Sequence, residues 1–335
     1  MAIIYVPTRL SMLSIFILFF CTTPPLALSL VFKKLQLPPG ASGPESYAFK
    51  AKFGVLGVLY TGVYDGRILT SQGGTTNFTY FAFTAPNRSK AACDGQTNVD
   101  LQPKCGRPLG LEFSISTNQL YVADAYFGLS VVGPKGRLTT QLANSVNGVP
   151  FRFLDGLGLH PITGDVYFTQ FSATYQLRNA SVAVTNNDKT GSSLKYDILT
   201  KQVTELVTGL SGAAGTAVSA LGDFVLVSEY IGKRIQRFWL TGAKRNTKET
   251  FISFRGNPDN IKRDENGDFW VAVNDAIKSS TQDTVPIRVR IDRSGTVQKV
   301  SLENEYNTTK ISEAQKYLGR IYIGSPITNF VGVYS

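Results

Sequence analysis

GDVYFTQ at 164–170 and GDFWVAV at 267–273 are two copies of one short phrase. A glycine or asparagine opens it, an apolar residue follows one position later, and an aromatic residue leads a further apolar run. Four more copies stand in the chain: GVLYTG (57–62), NQLYVAD (118–124), GDFVLVSE (222–229) and GRIYIGS (319–325). Measured at Tyr60, Tyr121, Tyr167, Val225, Trp270 and Tyr322, they are 61, 46, 58, 45 and 52 residues apart. Short aromatic and β-branched runs bounded by Gly, Asn and Asp read as strands, and long helical periodicity is nearly absent. A recurring strand at this spacing is the mark of propeller blades, each a four-stranded sheet. Six copies therefore predict an all-β, six-bladed β-propeller in one domain, 30–335. A β-sandwich is the alternative, but it seldom repeats one strand-entry phrase so regularly. Each copy is expected to be an inner or middle strand, its alternation packing Tyr167 or Trp270 between blades. The segment 37–60 is expected to complete a blade beside 319–325. Closure gathers loops from every blade at one channel mouth, so site residues can lie far apart in sequence.

Ahead of the repeats, Arg9, the apolar run LSMLSIFILFFC and small residues around Ala27 and Ser29 fit a secretory signal peptide, 1–29. That run is short for a bilayer span, so no stable membrane insertion is expected. With Cys21 in the leader, Cys93 and Cys105 remain. An oxidising compartment would bridge them; two free buried thiols are the other state. Four sequons, at Asn77, Asn87, Asn179 and Asn307, fit surface glycans in a secreted chain. The net charge is +10. No zinc-finger spacing, RNA-binding signature or long basic helix accompanies it, so nucleic acid is not an expected partner. A solvated basic face is the plain reading, and a small-molecule ligand or substrate and a monomeric state are expected.

Longer phrases carry a resemblance. GPES (43–46), YTGVYDGRI (60–68), CGRPLGLEF (105–113), LYVADAYFGL (120–129), FLDGLGLHPITGDVYFTQ (153–170), SEYIGKRIQRFWL (228–240) and GNPDNIKRDENGDFWVAV (256–273) resemble the plant strictosidine synthase family. The likeness runs over nearly the whole mature chain. It implies the same six-bladed fold, a Cys93–Cys105 disulfide and the vacuole as destination; the endoplasmic-reticulum lumen and the apoplast are the other secretory destinations. It also implies a reaction, the Pictet–Spengler condensation of tryptamine with secologanin in alkaloid biosynthesis. In the family a glutamate seven residues before the glycine of the last strand phrase handles protons, with histidines near it. Here that glycine is Gly319 and the glutamate position holds Ser312; the histidine positions hold Lys310 and Arg288.

A serine hydroxyl is not a general base unless something activates it. Glu313, one residue on, points to the opposite face of an extended strand, and a one-residue bulge would be needed to return it. The only histidine, His160, belongs to a turn. Lys310 and Arg288 place positive charge where a cationic amine would bind. The chain is therefore expected to lack the condensation, and to be a hydrolase of small esters or lactones or a small-molecule binder. Strictosidine synthase itself is the alternative.

Related propellers, the paraoxonases and their lactonase relatives, hold calcium in the channel. By motif the candidate ligands are Glu45, Asp155, Asp259 and Asn260, which would converge near the channel axis. A fourth-blade contributor is expected where the chain reads AAGTAVS (213–219), so Ala214 replaces an oxygen ligand. The plainer role for these carboxylates is hydrogen bonding at turns and strand ends.

Overall fold

The computed structural model describes residues 30–52, 55–72, 75–276, 284–307 and 309–335. The expected leader, 1–29, lies outside them. All six copies of the phrase take the same place, the second strand of a four-stranded antiparallel unit. Five are entered through a residue at positive φ, namely Asn118, Gly164, Gly222, Gly267 and Gly319. Such a turn favours residues without a crowded Cβ. Gly57 instead lies inside its strand, Val55–Gly62.

The first blade is Tyr47–Lys52, Val55–Gly62, Arg67–Gln72 and Phe78–Phe83, with Arg137–Leu138 added in parallel at its edge. The second is Pro108–Ser114, Gln119–Asp124, Gly128–Val132 and Thr140–Ala143; the third is Phe153–Leu159, Val166–Ser172, Gly191–Tyr196 and Val203–Leu210. The fourth is Ala213–Val218, Phe224–Glu229, Arg234–Trp239 and Lys248–Ser253; the fifth is Asn257–Arg263, Phe269–Ala276, Thr284–Ile291 and Val297–Leu302. First strands of successive blades lie side by side, so they line the channel.

The last blade closes the ring. Its strands are Ala314–Tyr317, Arg320–Ile323, Phe330–Tyr334 and, from the other end of the chain, Phe32–Gln36. Leu35 faces Val331 in that register, and both are buried. The closing strand thus lies earlier than the expected 37–60, which carries the first two strands of the first blade. The segment 37–60 is not free to close the ring because Tyr47–Lys52 and Val55–Gly62 pair with each other in the first blade, whereas Phe32–Gln36 pairs with Phe330–Tyr334.

The apolar cores lie between blades, as alternation requires. Tyr167 packs with Val207 and Leu210 of its own blade and Val218, Val225 and Phe238 of the next. Trp270 is buried and donates Nε1 to Asp264 Oδ2 at 3.0 Å. Val31–Ser335 forms one compact unit, and among the described residues no helix is long and apolar enough to cross a membrane.

If closure holds the ring, truncating the buried Leu35 to Ala should lower stability by about 2–5 kcal/mol. Val31→Ala, at an exposed position just outside the strand, should stay within about 0.5 kcal/mol of the parent. Urea midpoints at constant m-value check both.

Candidate active site in the channel mouth

Four first strands break register at the same level. The shifts fall between Pro108 and Gly110, Leu154 and Leu157, Ala213 and Thr216, and Pro258 and Ile261. A bulge leaves residues unpaired in the ladder and re-aims their side chains. The residues so released are Leu109, Asp155 with Gly156, Ala214 with Gly215, and Asp259 with Asn260. Second-strand hydroxyls hold them. Thr169 Oγ1 accepts from Gly156 N at 2.8 Å and donates to Ala214 O of the next blade. Ser228 Oγ accepts from Gly215 N at 2.7 Å and donates to Asp259 O of the next blade at 2.6 Å. Each clamp ties its own bulge to its neighbour's, so the bulges of blades three, four and five are joined in one chain of hydrogen bonds.

Three carboxyls meet there. Glu45 precedes the first strand of blade one; Asp155 and Asp259 come from blades three and five. Burial pushes Asp155 well above the usual carboxylate range, the charge of Glu45 adds to this, and Arg107 opposes it. Burial also pushes Asp259 well above that range, helped by Asp155 and Glu45 and opposed by Lys310. Glu45 itself is raised by burial against the pull of Arg107 and a hydrogen bond involving Ser312. The three carboxyls thus influence one another's protonation, and Ser312 links the main chains of Glu45 and Asn260 through its hydroxyl and carbonyl. Asp259 keeps part of its surface open to solvent although protein surrounds it. Asn260 is buried, and its Nδ2 has no hydrogen-bond partner. One wall of the mouth is apolar, with Leu109, Phe153, Phe171 and Ala214 buried beside the partly buried Tyr126 and Tyr230.

Ser312 is fully buried and donates Oγ to Glu45 O at 2.7 Å, while its own carbonyl accepts from Asn260 N at 2.9 Å. Its hydroxyl is a donor to the main chain, and it also acts on the Glu45 carboxyl, which it holds down. Glu313 does not swing into the mouth. Its Oε2 accepts from Ser46 Oγ at 2.7 Å and its Oε1 from Tyr47 N at 2.8 Å, with Lys262 Nζ 3.9 Å away. Lys262 comes from blade five yet donates to Leu111 O of blade two at 2.6 Å, with Glu112 Oε2 at 3.2 Å. It therefore bars the channel across its width, and Glu313 belongs to that bar. Lys310 is exposed and acts on Asp259. Arg288 is not in the mouth: it sits on the third strand of blade five, 3.1 Å from Glu303 and over the ring of Tyr334. His160 accepts from Ile162 N and Thr163 N on Nδ1, so Nε2 donates to Gly222 O at 3.1 Å; it holds two turns together.

The same mouth was a candidate for calcium, a hard cation that asks for six to eight oxygens. Ala214 offers no side-chain oxygen, and Glu45 Oε2 is already paired with Arg107 Nη2 at 2.9 Å. Among the described residues no group of three or more His, Cys, Asp or Glu side chains is set to hold a metal ion. The residues present do not make a calcium shell. Arg107 and Lys262 went unnoticed in the sequence because basic residues in a chain of net charge +10 suggest a solvated face. The signal was positional: Arg107 precedes the first strand of its blade, as Glu45 precedes that of blade one.

Two other features are structural. Cys93 and Cys105 are bridged, with S–S 2.06 Å. A cleft of about 490 Å³ opens on the opposite face between Ser219–Leu221, Asn266–Phe269 and Asp292–Ser294. There Arg293 is paired with Asp223 and Asp292 accepts from its own turn, so no free chemistry is left in it.

A family model described as strictosidine synthase matches residues 155–243. The chain is 42% identical over 304 residues to the protein strictosidine synthase-like 11 of Arabidopsis thaliana, covering 90% of this chain and 91% of that one. It is 33% identical over 307 residues to the strictosidine synthase of Catharanthus roseus, covering 90% and 86%. Among solved structures it is similar to a gluconolactonase from Xanthomonas campestris, TM-score 0.63 at 14% identity over 91% and 89% of the two chains. It is also similar to the calcium-binding protein regucalcin from Agrobacterium tumefaciens, TM-score 0.62 at 14% identity over 91% and 94%. The two structural likenesses speak to the fold alone.

Glu313 gives a pH prediction. Burial, opposed by Lys262, raises it from 4.5 to about 7. The folded state then binds the proton more tightly than the unfolded state, so stability is greatest in acid and falls as pH rises from 4.5 through about 7. A shift of this size corresponds to about 3 kcal/mol. Glu313→Gln can still accept from Tyr47 N and donate to Ser46 Oγ, and should flatten part of that slope. Denaturant midpoints across this pH range, parent against variant, measure it.

Proposed function

The chain belongs to the strictosidine synthase family, and on that premise we propose that it is a member without the condensation reaction: a secretory-pathway hydrolase of small esters or lactones. The observation that carries the reading is the mouth itself, where three carboxyls are held above their usual range beside an amide donor without a partner.

Condensation of an amine with an aldehyde needs a proton-handling group at the position of Ser312. That hydroxyl is spent on Glu45 O, and the next carboxylate, Glu313, is tied to Ser46, Tyr47 and the channel bar. Ester hydrolysis can use what remains. Like charges held close cannot all ionise, so such a group divides into a base and an acid. The ionised member of Asp155 and Asp259 takes a proton from water as the water oxygen adds to the substrate carbonyl carbon. The protonated member and Asn260 Nδ2 donate to the carbonyl oxygen. When the adduct collapses, the C–O bond to the leaving group breaks, and the carboxylic acid supplies the leaving oxygen's proton. The apolar wall of Leu109, Phe153, Phe171 and Tyr230 suits a compact, uncharged acyl group. Lys310, exposed near Asp259, disfavours an ammonium substrate.

The destination we favour is an acidic secretory compartment, the vacuole. Carboxyls raised by burial make the folded state most stable in acid, and Asn77, Asn87, Asn179 and Asn307 are all exposed, as glycan acceptors must be.

The test is turnover of a panel of lactones and aryl esters by purified protein in a chelator. Asp259→Asn should lower kcat/KM by about 10²–10⁴-fold, while tryptamine and secologanin give no product with the parent. Ester turnover untouched by Asp259→Asn, or robust condensation by the parent, would overturn the reading. Ser312→Glu adds a fourth carboxylate to the cluster and should melt lower at neutral than at acid pH, without gaining condensation.

A further inference from the structure

The acids of the mouth need a counter-charge, and the chain brings its own. Arg107 is among the largest fully buried side chains of the described residues. Its Nη2 donates to Glu45 Oε2 at 2.9 Å and its Nη1 to Gly43 O at 2.9 Å, while its main-chain N donates to Asp124 Oδ2 at 2.9 Å. Its guanidinium lies 5.3 Å from the ring centroid of Tyr64. The segment that presents it is held on both sides. Cys105, two residues earlier, is bridged to Cys93. Gly106 has φ 88°, and a Cβ there would stand 2.6 Å from Thr84 Oγ1 and 3.0 Å from Asp124 Oδ2. Pro108 then starts the first strand of the blade.

Around this cation three main-chain oxygens already accept hydrogen bonds. Glu45 O accepts from Ser312, Ala214 O from Thr169 and Asp259 O from Ser228. We propose that the Arg107 guanidinium takes the place of a bound divalent ion in this propeller, so that the mouth holds protons rather than a metal. A guanidinium carries one charge against a calcium ion's two. It balances Glu45 and Asp155, which it draws down, and leaves the neighbourhood of Asp259 to Lys310. Other ionisable groups packed against the cluster include Asp124 and Tyr64, against Arg107, and Tyr230, beside Asp259. The inference is independent of the ester reading: it concerns what balances the acids, whatever the substrate.

Calcium titration calorimetry and melting curves in calcium or chelator, at acid and neutral pH, test it. The parent should show no calcium heat and one melting temperature in both. Arg107→Gln should melt lower at neutral than at acid pH, because the acids lose their fixed cation. Arg107→Gln/Ala214→Asn, which frees Glu45 and restores an oxygen in blade four, should rise by about 2 °C or more in millimolar calcium. Arg107→Lys, which keeps a cation, should ignore calcium. Calcium binding by the parent overturns the inference, as does a folded double variant that ignores calcium. If Arg107→Gln does not fold at neutral pH, recovery in acid supports the proposal and failure to recover there overturns it.

Discussion

The ion pair between Arg107 and Glu45 is the contact on which the mouth depends. Without it Glu45, Asp155 and Asp259 would repel one another across the channel with only Lys310, which is exposed, to offset them. Breaking a buried pair by removing one partner typically costs about 3–5 kcal/mol, because the other charge stays behind. The fold spends much of its local detail on keeping this pair in place: the Cys93–Cys105 bridge, the positive-φ Gly106 and the hydrogen bond to Asp124 all act on the four residues from Cys105 to Pro108. The bulges of blades three and five then deliver Asp155 and Asp259 to the same place.

The channel is divided by a second cation. Lys262 spans it from blade five to blade two and takes Glu313 and Glu112 as partners. On the mouth side of the bar the carboxyls border an apolar wall. This explains why the shift of one residue between Ser312 and Glu313 matters. Ser312 meets the main chain of Glu45 at the mouth, whereas Glu313 is drawn toward Ser46, Tyr47 and the bar. A carboxylate is present, one residue away from where family chemistry places it, and the fold has given it another task.

The propeller was legible because a period near 50 residues leaves a mark that any one blade would not. The sequence placed Glu45, Asp155 and Asp259 before or within first strands, and the structure puts them there, the two aspartates on bulges. The closing strand was missed because Phe32–Gln36 carries no copy of the phrase: fourth strands are edge strands, with weaker alternation, and FKKLQ buries only Leu35. Arg288 was misplaced because counting back from a turn gives a position along a strand, not which strand of the blade it occupies; it lies on the third, away from the channel. Arg107 was missed because a buried cation and a solvated one are spelled alike, and only the three-dimensional cluster of acids tells them apart.

The central claim is that the mouth carboxyls hold a proton to higher pH than ordinary carboxyls do, balanced by a guanidinium. Infrared spectra of protein with isotope-labelled aspartate side chains read that proton directly, since protonated and ionised carboxyls absorb at separate frequencies. The account predicts a labelled carboxylic-acid band that persists in the parent to clearly higher pH than that of ordinary aspartates and is lost in Asp155→Asn/Asp259→Asn. A parent whose labelled aspartates are all ionised by about pH 5, as ordinary aspartates are, would contradict it.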